Sequence, residues 1–352
     1  MTVSFTHETL PQRVVFGTGQ AARNVAGEVA RLGTRPMVIA AGAGGTPAEP
    51  ILAGLPGAVR HTEVTMHVPV EVAERARKAA AGHDVDVLVS VGGGSATGLA
   101  KAVALTSGLP IVAVPTTYAG SEATDVWGMT EGGRKTTGSD ARVLPRSVVY
   151  DAALLVTLPV RLSVASGLNA LAHCVDSMWA PRADPINRAL AVEGIRALHA
   201  GLPRVVRDPG DIEGREQTLY GAYLAAVAFA SAGAGLHHKI CHVLGGMYNL
   251  PHAQTHAVVL PHVLAFNAPS APGIERRLAE SFGAASATAG LRHLREQVDA
   301  PRALRDYGLR ETDIPAVVEA VLAVVPPGNP TPITAVNLNE LLSRAWAGWE
   351  PE

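Results

Sequence analysis

Between Arg13 and Thr117 two kinds of apolar pattern take turns. The runs RVVFG, PMVIAA, VRHTEVT, DVLVSV and PIVAVPTT are rich in β-branched residues, whereas QAARNVAGEVARLG, PVEVAERARKAAAG and SATGLAKAVALT space their apolar positions three and four apart. The first pattern predicts strands and the second helices. Because the strand runs do not alternate with polar residues, both faces of the sheet are covered, which is the condition of a parallel, doubly wound α/β domain. After VVYDAALLVTLP, punctuated by Pro159, the strand signals fade, and Ala/Leu/Val-rich stretches of helical period continue to the C-terminus. The expected organisation is an α/β domain over residues 1–154 and an all-α domain over residues 155–352.

Composition narrows the function. With 29 Lys plus Arg against 31 Asp plus Glu, no bulk charge invites nucleic acid or an anionic membrane, so a small ligand fits better. The most apolar stretch, AYLAAVAFASAGAGL, is shorter than a bilayer span and reads as a buried helix. The N-terminal residues lack the basic-then-apolar pattern of a secretory signal. Cys174 and Cys241 cannot form a disulfide framework and have no CxxC spacing, which suits a reducing cytoplasm and core packing.

Two stretches carry candidate chemistry. Gly92, Gly93, Gly94 and Ser95 stand between a predicted buried strand and a helix, where bare backbone N–H groups and a helix N-terminus favour a phosphate. The next strand ends in Thr116, Thr117, Ser121 and Glu122, at the carboxyl end of the sheet where such folds bind ligands. This makes the α/β domain a nucleotide-binding one. The second stretch, Ala234 to His256, gathers five of the 13 histidines. His238 and His242 are four apart and share a helix face, His252 follows a chain return at Gly245 and Gly246, and Asn169 and His173 form another pair four apart. Together they predict a metal or polar-substrate site between helices. His237, His256 and His262 read as hydrogen-bonded structural residues.

With VVFGTG, VSVGGGSATGLAKAVA, PTTYAGSEAT, SGLNALAHCVDS, GLHHKICHVLGGMYNLPHAQTHAVVLPHV and NPTPIT in view, the chain resembles the iron-containing, or group III, alcohol dehydrogenase family, with its dehydroquinate synthase-like fold, and within it the maleylacetate reductases. The resemblance implies a cleft active site. It implies that Gly92 to Ser95 hold a dinucleotide pyrophosphate, that Thr116, Thr117 and Ser121 lie near the cofactor, and that Lys135 lies on the nicotinamide side. Metal-dependent members place ligands at positions matching Asn169, His173, His238 and His252, with His242 close to nicotinamide and substrate. Asn169 replaces the family's only anionic ligand, so the expectation is no essential metal.

The implied reaction is NAD(P)H-dependent reduction of the carbon–carbon double bond of maleylacetate, giving 3-oxoadipate during aromatic-compound breakdown. Imidazoles suit it, because charge develops on an enolate and a proton must reach carbon. His242 and His238 are the first choices for that work, with His173 and His252 holding substrate oxygens beside Asn169. The segment Met37–Thr46 contains neither the acidic residue that selects NADH nor an arginine that selects NADPH, so either cofactor is expected. A homodimer is expected by resemblance. The alternatives are a metal-dependent alcohol or polyol dehydrogenase of the same superfamily and a non-catalytic dinucleotide sensor.

Overall fold

The computed structural model describes residues 4–42, 46–132 and 134–351, apart from the side chains of Arg134 and Lys135. The chain divides into two compact units. One comprises Leu10–Leu158, and the other Pro159–Glu352 together with the first nine residues. The join therefore falls a few residues beyond the expected one, and the start of the chain belongs to the helical unit. His7 is the reason, since its Nδ1 lies 2.7 Å from Asp184 Oδ2 and 3.1 Å from Ser231 Oγ.

In chain order the first unit contains strand β1 (Arg13–Phe16), helix α1 (Ala21–Leu32), β2 (Pro36–Ile39), α2 (Glu49–Ala53), β3 (Val59–His61), α3 (Val70–Gly82), β4 (Val87–Gly92), α4 (Gly94–Ser107), β5 (Ile111–Pro115), β6 (Val126–Glu131), β7 (Arg134–Ser139) and β8 (Ser147–Tyr150). Six strands form one parallel sheet in the order β1-β8-β5-β4-β2-β3, while β6 and β7 pair as a separate antiparallel hairpin. Alternate residues of each buried strand serve opposite faces. Met37, Ile39 and Leu88 pack with Val72, Ala76 and Val103 of α3 and α4. Val38, Val87 and Val89 pack with Val25, Val29 and Ile51 of α1 and α2. Both faces demand apolar residues, which is why the strands read as unbroken apolar runs.

Strand order reverses between β2 and β4, since β3 lies outside β2 and the chain then returns to its other side. The carboxyl end of β4 at this reversal is the place where open α/β sheets take ligands. At the carboxyl end of β8, Asp151 fixes the turn into α1 by accepting N–H bonds from Gly19 and Ala21, both at 2.8 Å.

The second unit contains α5 (Val160–Ser177), α6 (Pro185–Arg207), α7 (Ile212–Ala232), α8 (Leu236–Tyr248), α9 (His252–Asn267), α10 (Pro272–Phe282), α11 (Ala287–Gln297), α12 (Ile314–Leu322) and α13 (Ala335–Ala347). Helix α6 opens with a reciprocal cap between Asp184 and Asn187. It then packs closely on α7 through glycines. A Cβ added at Gly201 would lie 2.5 Å from Thr218 Oγ1 and 2.7 Å from the Gly214 carbonyl. Leu236, Ile240, Leu244, Val259, Val263, Leu338 and Leu342 join α8, α9 and α13 in one apolar cluster. No single described helix is long and apolar enough to cross a membrane.

Gly201→Val should destabilise the protein by about 1–3 kcal/mol, the usual cost of overpacking a tight contact, because backbone rather than a flexible side chain stands in the way. Chemical denaturation would read this as a lower midpoint with an unchanged slope.

Candidate active site

The glycine turn lies at the carboxyl end of β4. Gly92 has φ +152°, a value that disfavours other residues, and Gly93 caps α4. A Cβ at Gly93 would come 3.0 Å from Thr117 Cγ2 and 3.1 Å from its Oγ1. Bare backbone is thus pressed against the Thr117 side chain, and the first N–H groups of α4, those of Gly94 and Ser95, have no partner within their own helix. Thr116 extends the edge by donating its N–H to the Gly92 carbonyl at 3.0 Å. These features fit a dinucleotide pyrophosphate. The side chain of Lys135, expected on the nicotinamide side, lies outside the described residues.

Two groups in this unit escape a linear reading. Lys101, on α4, is completely buried, and its Nζ donates to the carbonyls of Ser121 at 2.6 Å, Thr124 at 2.8 Å and Val126 at 2.8 Å, and to Thr124 Oγ1 at 3.0 Å. It gathers the segment that follows the Thr116–Thr117 pair. Burial pulls this ammonium down to about 7, opposed by Glu122 and Asp125. Burial likewise raises Glu122, whose Oε1 accepts from Tyr150 Oη at 2.8 Å. Ser121 therefore meets Lys101 through its carbonyl. The second group is Arg60 of β3. No arginine is present in Met37–Thr46, yet Arg60 donates to the Gly42 carbonyl at 3.2 Å and to Glu49 Oε1 at 2.8 Å. Residues 43–45 of that segment lie outside the described residues.

In the helical unit the histidines gather from three helices. Asn169 and His173 come from α5, His237, His238 and His242 from α8, and His252 and His256 from α9. The ring centroids of His238 lie 5.0 Å from those of His173 and His256, and 6.1 Å from that of His242. His252 and His256 stand 4.3 Å apart, and Phe229 of α7 lies 4.1 Å from His238. All four expected histidines therefore meet, and His237 and His256 meet with them. His262 is buried elsewhere along α9. His242 and His252 are exposed, whereas Asn169, His173, His237, His238 and His256 are buried.

The chain return differs from the expected one. Gly245 and Gly246 lie inside α8, and the turn is made by Asn249 at φ +53°, a left-handed cap that asparagine tolerates. His252 is consequently the first residue of α9 rather than a loop residue.

Asp176 organises the cluster and sits one turn beyond His173. It is fully buried, and its Oδ2 accepts the Gly235 N–H at 2.8 Å and faces His238 Nδ1 at 2.7 Å. A Cβ at Gly235 would fall 2.5 Å from Asp176 Oδ1, so only glycine admits the carboxylate there. Burial raises this carboxyl to about 7, while the N–H groups opening α8 act the other way. Burial also holds His238 neutral, far below its ordinary value. With Nδ1–H directed at Asp176, His238 turns its Nε2 lone pair inward. Asn169 Oδ1, His173 Nδ1, His238 Nε2 and His256 Nε2 are buried and have no hydrogen-bond partner among the described residues.

An iron ion is held less firmly by this donor set, because Asn169 brings no negative charge beside the neutral imidazoles of His173 and His238. Among the described residues, the group whose ligand atoms come within 4.8 Å of one another is His237, Cys241 and His256. Burial raises both thiols, Cys174 and Cys241, well above their ordinary value, which leaves them inert.

Comparison with known proteins identifies the family of the chain. Residues 11–152 match the family described as iron-containing alcohol dehydrogenase, and residues 163–346 match the C-terminal part of the Fe-containing alcohol dehydrogenase family. Maleylacetate reductase 1 of Cupriavidus pinatubonensis is 42% identical over 351 residues, covering 99% of each chain. An iron-containing alcohol dehydrogenase structure from Corynebacterium glutamicum superposes with a TM-score of 0.96 at 57% identity, covering 99% of this chain and 98% of the other. The structure of maleylacetate reductase from Agrobacterium tumefaciens gives 0.93 at 40% identity, covering 99% and 100%.

The buried histidines set an acid limit on stability. Burial lowers His173 and His262 to about 4 and His237 to about 3, and it holds His256 well below its ordinary value. Unfolded histidines bind protons near 6.5 and these folded ones do not, so stability falls with pH below 6.5, by about 1.4 kcal/mol per pH unit per histidine. Asp176, raised above its unfolded value, opposes this by about one proton between 7 and 3.8. Thermal melts at stepwise lower pH should therefore show a steep net loss beginning near 6.5. A flat profile down to pH 4 would mean that the rings are solvated.

Proposed function

The chain belongs to the iron-containing alcohol dehydrogenase family, and we propose that within it this protein reduces the conjugated carbon–carbon double bond of maleylacetate, yielding 3-oxoadipate in aromatic-compound degradation. The observation that carries the chemistry is the gathering of imidazoles one helical turn from the buried Asn169, where a carboxylate would serve a metal-bound alcohol. An alcohol substrate needs a Lewis acid to lower its hydroxyl pKa. An enone needs donors for the charge that reaches its oxygen and a proton for carbon.

NADH or NADPH, when bound, supplies the hydride. Gly92, Gly93, Gly94 and Ser95 hold its pyrophosphate, with Thr116 and Thr117 beside them, while Lys101 maintains the loop that carries Ser121. The segment after β2 carries no acidic residue to exclude a 2′-phosphate and no arginine of its own to demand one, and Arg60 beside it is paired with Glu49, so both cofactors are accepted. His242 and His252 are the exposed histidines and meet the dicarboxylate first. His242 donates a hydrogen bond or proton to the developing enolate, with His238 behind it held by Asp176. His173, His252 and Asn169 hold substrate oxygens. No essential metal takes part. The two buried thiols suit a reducing cytoplasm, and the family resemblance suggests a homodimer.

Reduced-nicotinamide absorbance, followed with freshly generated maleylacetate, tests the reading. Turnover should persist under a strong chelator, and its complete loss would favour a metal-dependent alcohol dehydrogenase. His242→Ala should lower kcat by at least ~100-fold, the scale of an acid or electrostatic contribution, and leave NADH binding nearly intact. A near-normal rate would remove His242 from the mechanism. Gly93→Val should do the reverse, weakening NADH binding by clashing with Thr117.

A further inference from the structure

Two lines of side chains lead inward from the exposed histidines. One passes from His242 to His238 and ends at the Asp176 carboxylate. The other passes from His252 to His256 and His237, and ends at the Cys241 thiol, 3.7 Å from His237 Nε2. The second line has no anion at its end. An imidazole does not choose for itself which nitrogen carries the proton; a partner chooses. Asp176 makes that choice for His238, and for His256 the available partner is His237.

His237 Nε2 and His256 Nδ1 face each other at 2.9 Å, with both residues buried. Two lone pairs cannot be opposed at that distance without a proton or a metal ion between them. Imidazole nitrogens on one tetrahedral zinc, at bond lengths of ~2.0–2.1 Å, stand about 3.3 Å apart. The observed separation is that of an N–H···N hydrogen bond. The proton is therefore the better occupant, although Cys241 brings a third ligand atom near.

We propose that His237 is a positioning residue for the reduction. Its Nε2–H donates to His256 Nδ1, which fixes His256 as the tautomer that keeps its proton on Nε2 and turns a donor toward the substrate side of the cluster. His256 in turn supports the ring of His252, 4.3 Å away. A dianionic substrate needs donors, and this line supplies one without burying a charge. The inference rests on reading the histidine cluster as the maleylacetate site.

Two variants separate hydrogen bonding from packing. His237→Gln keeps an N–H donor and loses the ring, whereas His237→Phe keeps a ring and loses the donor. With NADH binding as the control for folding, Phe should lower kcat for maleylacetate by about tenfold, the size of one lost hydrogen bond, with the KM for NADH unchanged. Gln should restore most of the rate. The opposite order, or two variants indistinguishable from wild type, overturns the proposal. Nitrogen-15 NMR of the imidazoles gives a readout independent of turnover, in which coupling across the N–H···N bond should be present in wild type and absent in the Phe variant. Its absence from wild type, or stoichiometric zinc that Cys241→Ser removes, also overturns it. If wild type fails to reduce maleylacetate at all, the substrate reading fails, and the NMR result decides the histidine pair alone.

Discussion

One buried carboxylate sets the geometry of the helical unit. Asp176 leaves water at the end of α5 and recovers its interactions from the start of α8, through the Gly235 N–H and His238. A hydrogen bond to a buried charged group typically contributes about 1.5–3 kcal/mol, so the contact is stringent about distance. Gly235 lets the backbone come close enough, and the register of α8 against α5 follows. From that register come the directions of His237, His238, Cys241 and His242, and with them the chemistry available at the site. The first unit uses a charge of opposite sign in a comparable way. Lys101 gathers three carbonyls of the segment beyond the threonine pair, so that a loop with little regular structure keeps one shape.

Much of this was legible in the chain. Unalternating Val/Ile/Leu runs foretold a sheet covered on both faces, and the triple glycine marked the end of the strand at which the sheet order reverses. The i,i+4 pairs Asn169/His173 and His238/His242 gave correct helix faces, because that spacing is local. The hairpin of β6 and β7 escaped notice because its residues lack a strong apolar alternation. His237 and His256 were read as framework residues, since their pairing depends on how α8 and α9 cross. Asp176 could have been found, because it lies three residues after His173 and seven after Asn169, on the same helix face. Arg60 could not, because it reaches the segment after β2 from a neighbouring strand.

The exchange of a carboxylate for an amide at position 169 changes electrostatics more than shape. The amide oxygen is buried and unpartnered, as a ligand would be, but it brings no negative charge to balance a divalent ion. The surrounding imidazoles are kept neutral by burial, so the cluster can accept an anionic substrate without first separating charge of its own.

The pairing of His7 with Asp184 and Ser231 has a consequence for biosynthesis. The strand that opens the sheet follows His7 by a few residues, whereas the histidine's partners, Asp184 and Ser231, are made only after the whole α/β unit. The α/β unit can therefore assemble during translation while the segment before it waits, and locking that segment down is a later event that makes the residues ahead of β1 depend on two helical positions far along the sequence.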